Sequence, residues 1–127
     1  MSTTWTLNAP PRTLRPRALS DVQPLLGRLV ESFGSNRLAA LLGVGTGTVA
    51  NWRARRRAIR PEYVQRILDL HDVMTRALQV MDPAVVPDWF EGNEPFLQFA
   101  RPIDVLALHG SGPLIAALRS IAAGASA

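Results

Sequence analysis

Residues 46–60 carry the side chains whose types and spacing could recognise a nucleic acid. Two threonines and an asparagine lie within six positions, and five arginines follow within the next nine. An asparagine can form two hydrogen bonds with an adenine edge, and a threonine can bond a base or pack its methyl group against thymine. Arginines bind phosphates, which dominate affinity without specifying sequence. The predicted DNA-binding residues are Arg37, Thr46, Thr48, Asn51, Arg53, Arg55, Arg56 and Arg57.

The residues that must position this group have the pattern of two short helices joined by a turn. Two apolar pairs have helical spacing: Leu38 with Leu42, and Val49 with Trp52. Gly43 falls where the first helix must stop, because glycine adopts the left-handed conformation of a helix end without a clash. Thr46 or Thr48 is expected to cap the second helix. Residues 35–52 therefore predict a helix-turn-helix.

A second interpretation treats residues 43–47 as a glycine-rich loop that cradles a phosphate. Such loops follow a strand, and the P-loop type also needs a lysine. The residues before Gly43 have helical spacing, and the chain contains no lysine. This interpretation is therefore set aside.

The rest of the chain also has helical periodicity, interrupted at prolines and glycines. A first helix is expected from about Pro24 to Gly34, and a long helix from Pro61 to the Asp82–Pro83 break. The inner face of the long helix is predicted to consist of Val64, Ile67, Leu68, His71, Met74, Leu78 and Met81. A final helix over about 113–123 carries Leu114, Ile115, Leu118 and Ile121. No segment alternates as a strand does, so the predicted fold class is all-α.

Charge is unevenly distributed along the chain of 127 residues. Residues 1–66 contain eleven arginines and three acidic residues, a net charge of +8, whereas residues 67–127 contain three arginines and seven acidic residues, a net charge of −4. A basic half suits a polyanion and an acidic half does not. The predicted organisation has four segments: a flexible basic arm (1–19), a helix-turn-helix domain (20–60), a long connecting helix (61–83) and a helical C-terminal domain (84–127).

Composition argues against several other functions. With no cysteine and two histidines, the chain is expected to hold no zinc finger, no metal and no cofactor. No Ser/His/Asp arrangement or paired carboxylates stand out, so we expect no catalytic residues and no enzyme. No apolar run approaches the ~20 residues of a membrane span, and no signal peptide is recognisable. A soluble, cytoplasmic protein is expected.

The C-terminal segment carries a pattern of its own, made of Trp89, Asn93, Leu97, Pro102, Asp104, Leu106 and Gly112. This pattern, placed after an Xre-like helix-turn-helix, resembles the toxin-binding domain of the Xre/MbcA/ParS family of antitoxins. The resemblance covers about residues 22–123. Two positions depart from it: Ala100 stands where the family usually has Gly, and Phe90 where it usually has Leu.

The resemblance implies a type II antitoxin that represses its own promoter. Such antitoxins neutralise a RES-domain toxin, an enzyme that consumes NAD, by covering its active site. The implied partners are this toxin and operator DNA, with a homodimer inside a larger hetero-oligomer. The expected toxin-binding residues are Trp89, Phe90, Phe96, Phe99, Arg101 and Asp104. Phe96 and Phe99 fall in a break between helices and are expected to be exposed, whereas Trp89 also fits a core position.

A second functional interpretation stays open on the residues alone. The chain could be a stand-alone transcriptional regulator whose acidic half serves only dimerisation or effector binding. A neighbouring gene that encodes a RES domain, and rescue on co-expression, would distinguish the antitoxin from this alternative.

Overall fold

A computed structural model describes residues 22–126, with side chains up to residue 124, and this part of the chain is all-α as predicted. The described helices are α1 (Val22–Phe33), α2 (Ser35–Leu42), α3 (Thr46–Arg53), α4 (Pro61–Ala77), α5 (Val86–Glu91), α6 (Pro102–His109) and α7 (Gly112–Ser126). A short 3₁₀ turn, Pro95–Leu97, lies between α5 and α6. Extended pairing within the described residues is limited to one isolated bridge between Glu94 and Ala100. The predicted basic arm, residues 1–19, lies outside the described residues.

Helix α4 is the centre of the fold, because α1, α2, α6 and α7 all pack against it. It begins at Pro61, as predicted, since proline is tolerated in a first helical turn. Its buried residues are Val64, Ile67, Leu70, Val73, Met74 and Ala77. Leu68 and Leu78, predicted to face inward, are 37% and 39% exposed. Packing against several helices thus buries positions 70, 73 and 77 of α4 instead.

The long helix also ends earlier than predicted, at Ala77 rather than near Asp82. The amides of Gln79 and Val80 donate to carbonyls three residues back, at Arg76 and Ala77. These shorter bonds tighten the chain into turns before Pro83 is reached. Proline therefore did not set the end of the helix.

The hydrophobic core runs without a break from the N-terminal helices into the C-terminal half. Phe90 of α5 is fully buried, and its ring lies 5.5 Å from the Phe33 ring of α1 in an edge-to-face contact. Its other aromatic neighbour is Trp89, at 5.1 Å between ring centroids. Phe90, expected to help form or support a toxin-binding surface, is therefore a core residue, because α5 turns this side chain inward; it can support such a surface but cannot contact a partner directly. Leu114 and Leu118 of α7 are buried as expected.

None of the described helices is long and apolar enough to cross a membrane. The longest, α4, has 17 residues and six of them are charged or histidine.

Candidate nucleic-acid interface and aromatic loop

Helices α2 and α3 pack against each other and are joined by a three-residue turn, Gly43 to Gly45. Gly43 has φ 74°, the left-handed conformation predicted for it. Its amide donates to the Ala40 carbonyl (3.2 Å), and the Val44 amide donates to the Ala39 carbonyl (2.9 Å). These two bonds form a Schellman ending, which satisfies the last carbonyls of α2. Val44 is half-buried against the core, so the turn is anchored on both sides.

The start of α3 differs from the sequence prediction. Gly45 occupies the capping position in an extended conformation, and no side chain caps the helix. Thr46 and Thr48 lie inside the first turn and not at the N-cap position. Neither hydroxyl is therefore placed to accept a hydrogen bond from the free amides of that turn, as an N-cap side chain would. Thr46 is exposed, and Thr48 and Asn51 are half-buried. The first turn of α3 therefore presents polar side chains and uncapped amides, which favour an anion.

Both short helices are tied to their neighbours at their C-terminal carbonyls. Gln23 of α1 donates from Nε2 to the Trp52 carbonyl at 2.9 Å. Arg66 of α4 donates from Nη1 to the Leu42 carbonyl at 3.2 Å, and its guanidinium carbon lies 5.3 Å from the centre of the Tyr63 ring. The Trp52 ring contacts Tyr63 at 5.4 Å between centroids. These contacts hold α2 and α3 in a fixed orientation on α1 and α4.

Five arginines follow the polar turn of α3, and all five are exposed: Arg53, Arg55, Arg56, Arg57 and Arg60. Within the described residues, none of them forms an ion pair. An open cleft of about 560 Å³ lies beside them, lined by residues 43–45, Thr48, Trp52, Arg57, Ala58, Arg60 and Tyr63. We call α3 and residues 54–60 the arginine surface. Its charge is uncompensated locally, so it attracts polyanions.

The chain leaves α3 through a backbone conformation that the sequence did not predict. Arg55 has φ 60°, a left-handed conformation that is uncommon for a residue with a long side chain. Its amide donates to the Trp52 carbonyl (3.1 Å), and the Arg56 amide donates to the Asn51 carbonyl (2.9 Å). This is again a Schellman ending. Glycine is the usual sequence signal for it, and no glycine stands here.

Arg37, also predicted to contact DNA, has other partners in the folded chain. Its Nε donates to Glu91 Oε1 at 2.6 Å, and its Nη2 donates to Asp88 Oδ1 at 2.7 Å. The hydrogen bond to Asp88, followed by that to Glu91, raises the pKa of Arg37 above its ordinary value. Both carboxylates belong to α5, so this residue connects α2 to the C-terminal half instead of extending the arginine surface.

A second exposed group lies on residues 93–100, which we call the aromatic loop. Phe96 and Phe99 are 53% and 65% exposed, as predicted. The carboxylate of Glu94 is buried beneath them and accepts hydrogen bonds from Trp89 Nε1 (2.9 Å) and from the Phe96 amide (2.7 Å). Asn93 Nδ2 donates to the Phe99 carbonyl at 2.6 Å. The loop is therefore held by its own hydrogen bonds while its two rings face outward.

The aromatic loop also contains two consecutive residues with left-handed backbone. Gln98 has φ 54° and Phe99 has φ 64°, and the Phe99 amide donates to the Glu94 carbonyl at 2.9 Å. Together with Arg55, these are the non-glycine residues with positive φ in the described part of the chain. All three are exposed. Within the described residues, left-handed backbone at non-glycine positions therefore occurs in the arginine surface and the aromatic loop alone.

The other predicted toxin-binding residues differ in accessibility. Trp89 is half-buried beside the aromatic loop. Arg101 and Asp104 are exposed and form a two-point ion pair, with Nε–Oδ2 at 2.9 Å and Nη2–Oδ1 at 3.1 Å. This hydrogen bonding lowers the pKa of Asp104 below its ordinary value. Phe96, Phe99, Arg101 and Asp104 thus remain available to a partner, whereas Phe90 does not.

Comparisons of the chain with models of protein families, with curated proteins and with solved structures found no match. The functional interpretation therefore rests on the residues and on their geometry.

Proposed function

We propose that this chain is an antitoxin that binds DNA with one surface and a toxin with another. In this proposal α2 and α3 form a helix-turn-helix, which binds the promoter of the protein's own operon. The aromatic loop takes part in binding a RES-domain toxin, and both events occur in the cytoplasm. One observation carries the DNA-binding part: five exposed arginines without an ion pair follow the polar first turn of α3.

The distribution of charge supports nucleic-acid binding over the alternative that the arginine surface contacts only solvent. Solvated helices usually alternate acidic and basic residues, which compensate one another. Between Gly34 and Pro61 the chain has no acidic residue at all. Each arginine that neutralises a phosphate releases counterions, so affinity should fall steeply as salt rises.

The position of the polar residues supports sequence discrimination. In a helix-turn-helix, the first residues of the second helix enter the major groove. Thr46, Thr48 and Asn51 lie in the first two turns of α3, and the arginines lie at its far end. This order separates residues that can read bases from residues that can bind phosphates. A homodimer would present two such helices to two half-sites.

The rigidity of the aromatic loop supports a protein partner. Exposed aromatic rings that are already ordered lose little conformational entropy on binding, so they are effective anchors. The backbone that carries Phe96 and Phe99 is ordered in this way, because Glu94 accepts from the Phe96 amide and Asn93 donates to the Phe99 carbonyl. The identity of the partner as a RES-domain toxin comes from the resemblance of residues 89–112 to the antitoxin family.

Selection of duplexes from a random-sequence library tests the DNA-binding part. We expect the full chain to enrich a defined sequence, and Asn51→Ala to lower the preference for it over a scrambled duplex by about 1–3 kcal/mol. Arg53→Ala is the matched control: it should weaken binding to both duplexes equally and reduce the salt slope by about 1. Failure of the wild-type chain to enrich any sequence would contradict the proposal.

Co-expression with a RES-domain protein from the neighbouring gene tests the toxin-binding part. We expect rescue of growth and co-purification, and we expect both to be lost in the double variant Phe96→Ala/Phe99→Ala. Leu78→Ala is the matched control, because Leu78 is an apolar residue that is 39% exposed after the last turn of α4, outside the elements that carry the expected toxin-binding residues. A chain that binds DNA but neither rescues growth nor co-purifies would be a stand-alone regulator.

A further inference from the structure

Two helix ends in this chain have the same hydrogen-bond pattern but different residues at the left-handed position. After α2 the position is occupied by Gly43, with φ 74°, and after α3 by Arg55, with φ 60°. In each case the left-handed residue donates to the carbonyl three residues back, and the next residue donates to the carbonyl five residues back. The two helix ends therefore have the same backbone conformation and differ in the side chain at the left-handed position.

An arginine at this position destabilises the turn relative to glycine. A side chain with a Cβ clashes with the backbone in the left-handed region, and glycine does not. The side chain of Arg55 is exposed and forms no ion pair within the described residues. Within the described residues, the left-handed conformation is therefore held by the backbone hydrogen bonds of the turn and by no ion pair of the Arg55 side chain.

The turn also links the predicted base-reading residue to the arginines behind it. The Arg56 amide donates to the carbonyl of Asn51 at 2.9 Å, and this bond requires Arg55 to be left-handed. While it persists, Asn51 and Arg56 belong to one rigid unit. If Arg55 adopted an extended conformation, the chain would leave α3 in another direction and Arg56 and Arg57 would move away from Asn51.

We infer that Arg55 is a positioning residue for DNA recognition, an inference that rests on the proposed DNA-binding function. Its left-handed backbone fixes Arg56 and Arg57 relative to Asn51, so that phosphate contacts place the asparagine at its base. Its guanidinium binds a phosphate itself. The backbone role governs discrimination between sequences, and the guanidinium governs overall affinity.

Two substitutions separate these roles because they remove the same charge and affect the backbone in opposite ways. Arg55→Gly relieves the strain and keeps the turn, whereas Arg55→Val disfavours the left-handed conformation because valine is β-branched. The probe is a duplex enriched by the wild-type chain, compared with a scrambled duplex of the same composition. Affinities are measured across a salt series, and melting temperatures are measured alongside.

For Arg55→Gly we expect a melting temperature raised by about 4 °C and a salt slope reduced by about 1, with the preference for the selected duplex kept within about twofold. For Arg55→Val we expect a lowered melting temperature and a preference reduced at least about fivefold, because Asn51 is no longer aligned with its base. Arg53→Ala removes a charge from α3 without affecting the left-handed residue or the arginines that follow it, and it should keep the preference. Arg55→Ala, with its smaller side chain, replaces the valine variant if that variant does not fold.

The outcomes distinguish this inference from the proposed function. Equal preference in the glycine and valine variants would show that the turn has no positioning role. An unchanged melting temperature in Arg55→Gly would show that position 55 is not strained. If the wild-type chain bound no duplex selectively, the proposed function would fail first and the positioning role with it, whatever the melting temperatures.

Discussion

The arginine surface and the aromatic loop are built in different ways. The arginines project from the end of a short helix and form no ion pair within the described residues. The aromatic rings project from a loop that is closed by the buried carboxylate of Glu94 and the amide of Asn93. The arginine side chains thus have no ion-pair partner in the described residues, whereas the loop that carries the aromatic rings is held by hydrogen bonds of two neighbouring side chains.

The difference follows from the range of the forces that each surface would use. Charges attract a polyanion over about 10 Å at moderate salt, so flexible arginine side chains can adjust as they approach phosphates. Apolar contacts act only at van der Waals distance, so rings must already be in place when a partner arrives. A surface that relies on packing therefore needs a rigid support, and a surface that relies on charge does not.

The largest expected effect concerns the core that both surfaces share. Phe90→Ala should lower the free energy of unfolding by about 3–5 kcal/mol, because it removes a fully buried ring and leaves a cavity between α1 and α5. Chemical denaturation measures the change. Phe96→Ala is the control and should stay within about 0.5 kcal/mol of wild type, because this ring is exposed. Similar losses in the two variants would contradict the assignment of one ring to the core and the other to the surface.

A smaller effect is expected from removing the support of the aromatic loop alone. Glu94→Ala leaves the Trp89 indole and the Phe96 amide without their acceptor, which should lower the free energy of unfolding by about 1–3 kcal/mol. Hydrogen exchange should show faster exchange at residues 96–100 and no change at α3. Glu31→Ala removes an exposed carboxylate and serves as the control. Unchanged exchange in the loop would mean that Glu94 does not hold it.

A still smaller effect is expected at the connection between the halves. Arg37→Gln should lower the free energy of unfolding by at most about 1 kcal/mol, because Arg37 and both its carboxylate partners are partly exposed. The difference from wild type should shrink in 1 M salt, where the screening length is about 3 Å. Arg119→Gln, at an exposed site with no ion pair in the described residues, is the control. A loss that did not depend on salt would point to packing rather than charge.

The smallest effect concerns His71 of α4, which belongs to neither surface. Burial, followed by the nearby charge of Arg28, lowers its pKa below the ordinary value of 6.5. The unfolded chain therefore takes up a proton first as pH falls, so stability is full above about pH 6.5 and decreases until the folded pKa is reached. His71→Gln should flatten this decrease between pH 7.5 and 5.5 in denaturation curves. An equal slope in both proteins would contradict this account.

The sequence was sufficient to predict the local structure where a residue type strongly favours one backbone conformation. Gly43 predicted a left-handed helix end, and the spacing of prolines and apolar residues predicted the order of the helices. The sequence was insufficient where contacts between distant helices determine whether a side chain is buried. Phe90 could face either way until α1 and α5 met, and no local signal predicted that Glu94 would be buried or that Arg55 would replace a glycine.

The arginine surface shows the same division. The residue types of Thr46, Thr48 and Asn51 indicated which hydrogen bonds they can form. The capping role predicted for the threonines depended on the residue at which α3 begins. Because α3 begins directly after Gly45, that glycine occupies the N-cap position instead. Arg37 is a residue type that can contact phosphate. Its carboxylate partners depend on the packing of α2 beside α5, which the sequence did not predict.

The most direct test of the account is the affinity of the wild-type chain and of Asn51→Ala for the selected and the scrambled duplex, measured over a salt series. The account predicts that both proteins have the same salt slope and that Asn51→Ala loses about tenfold or more of the preference for the selected duplex. Wild-type binding that neither discriminates between the duplexes nor weakens with salt would contradict it.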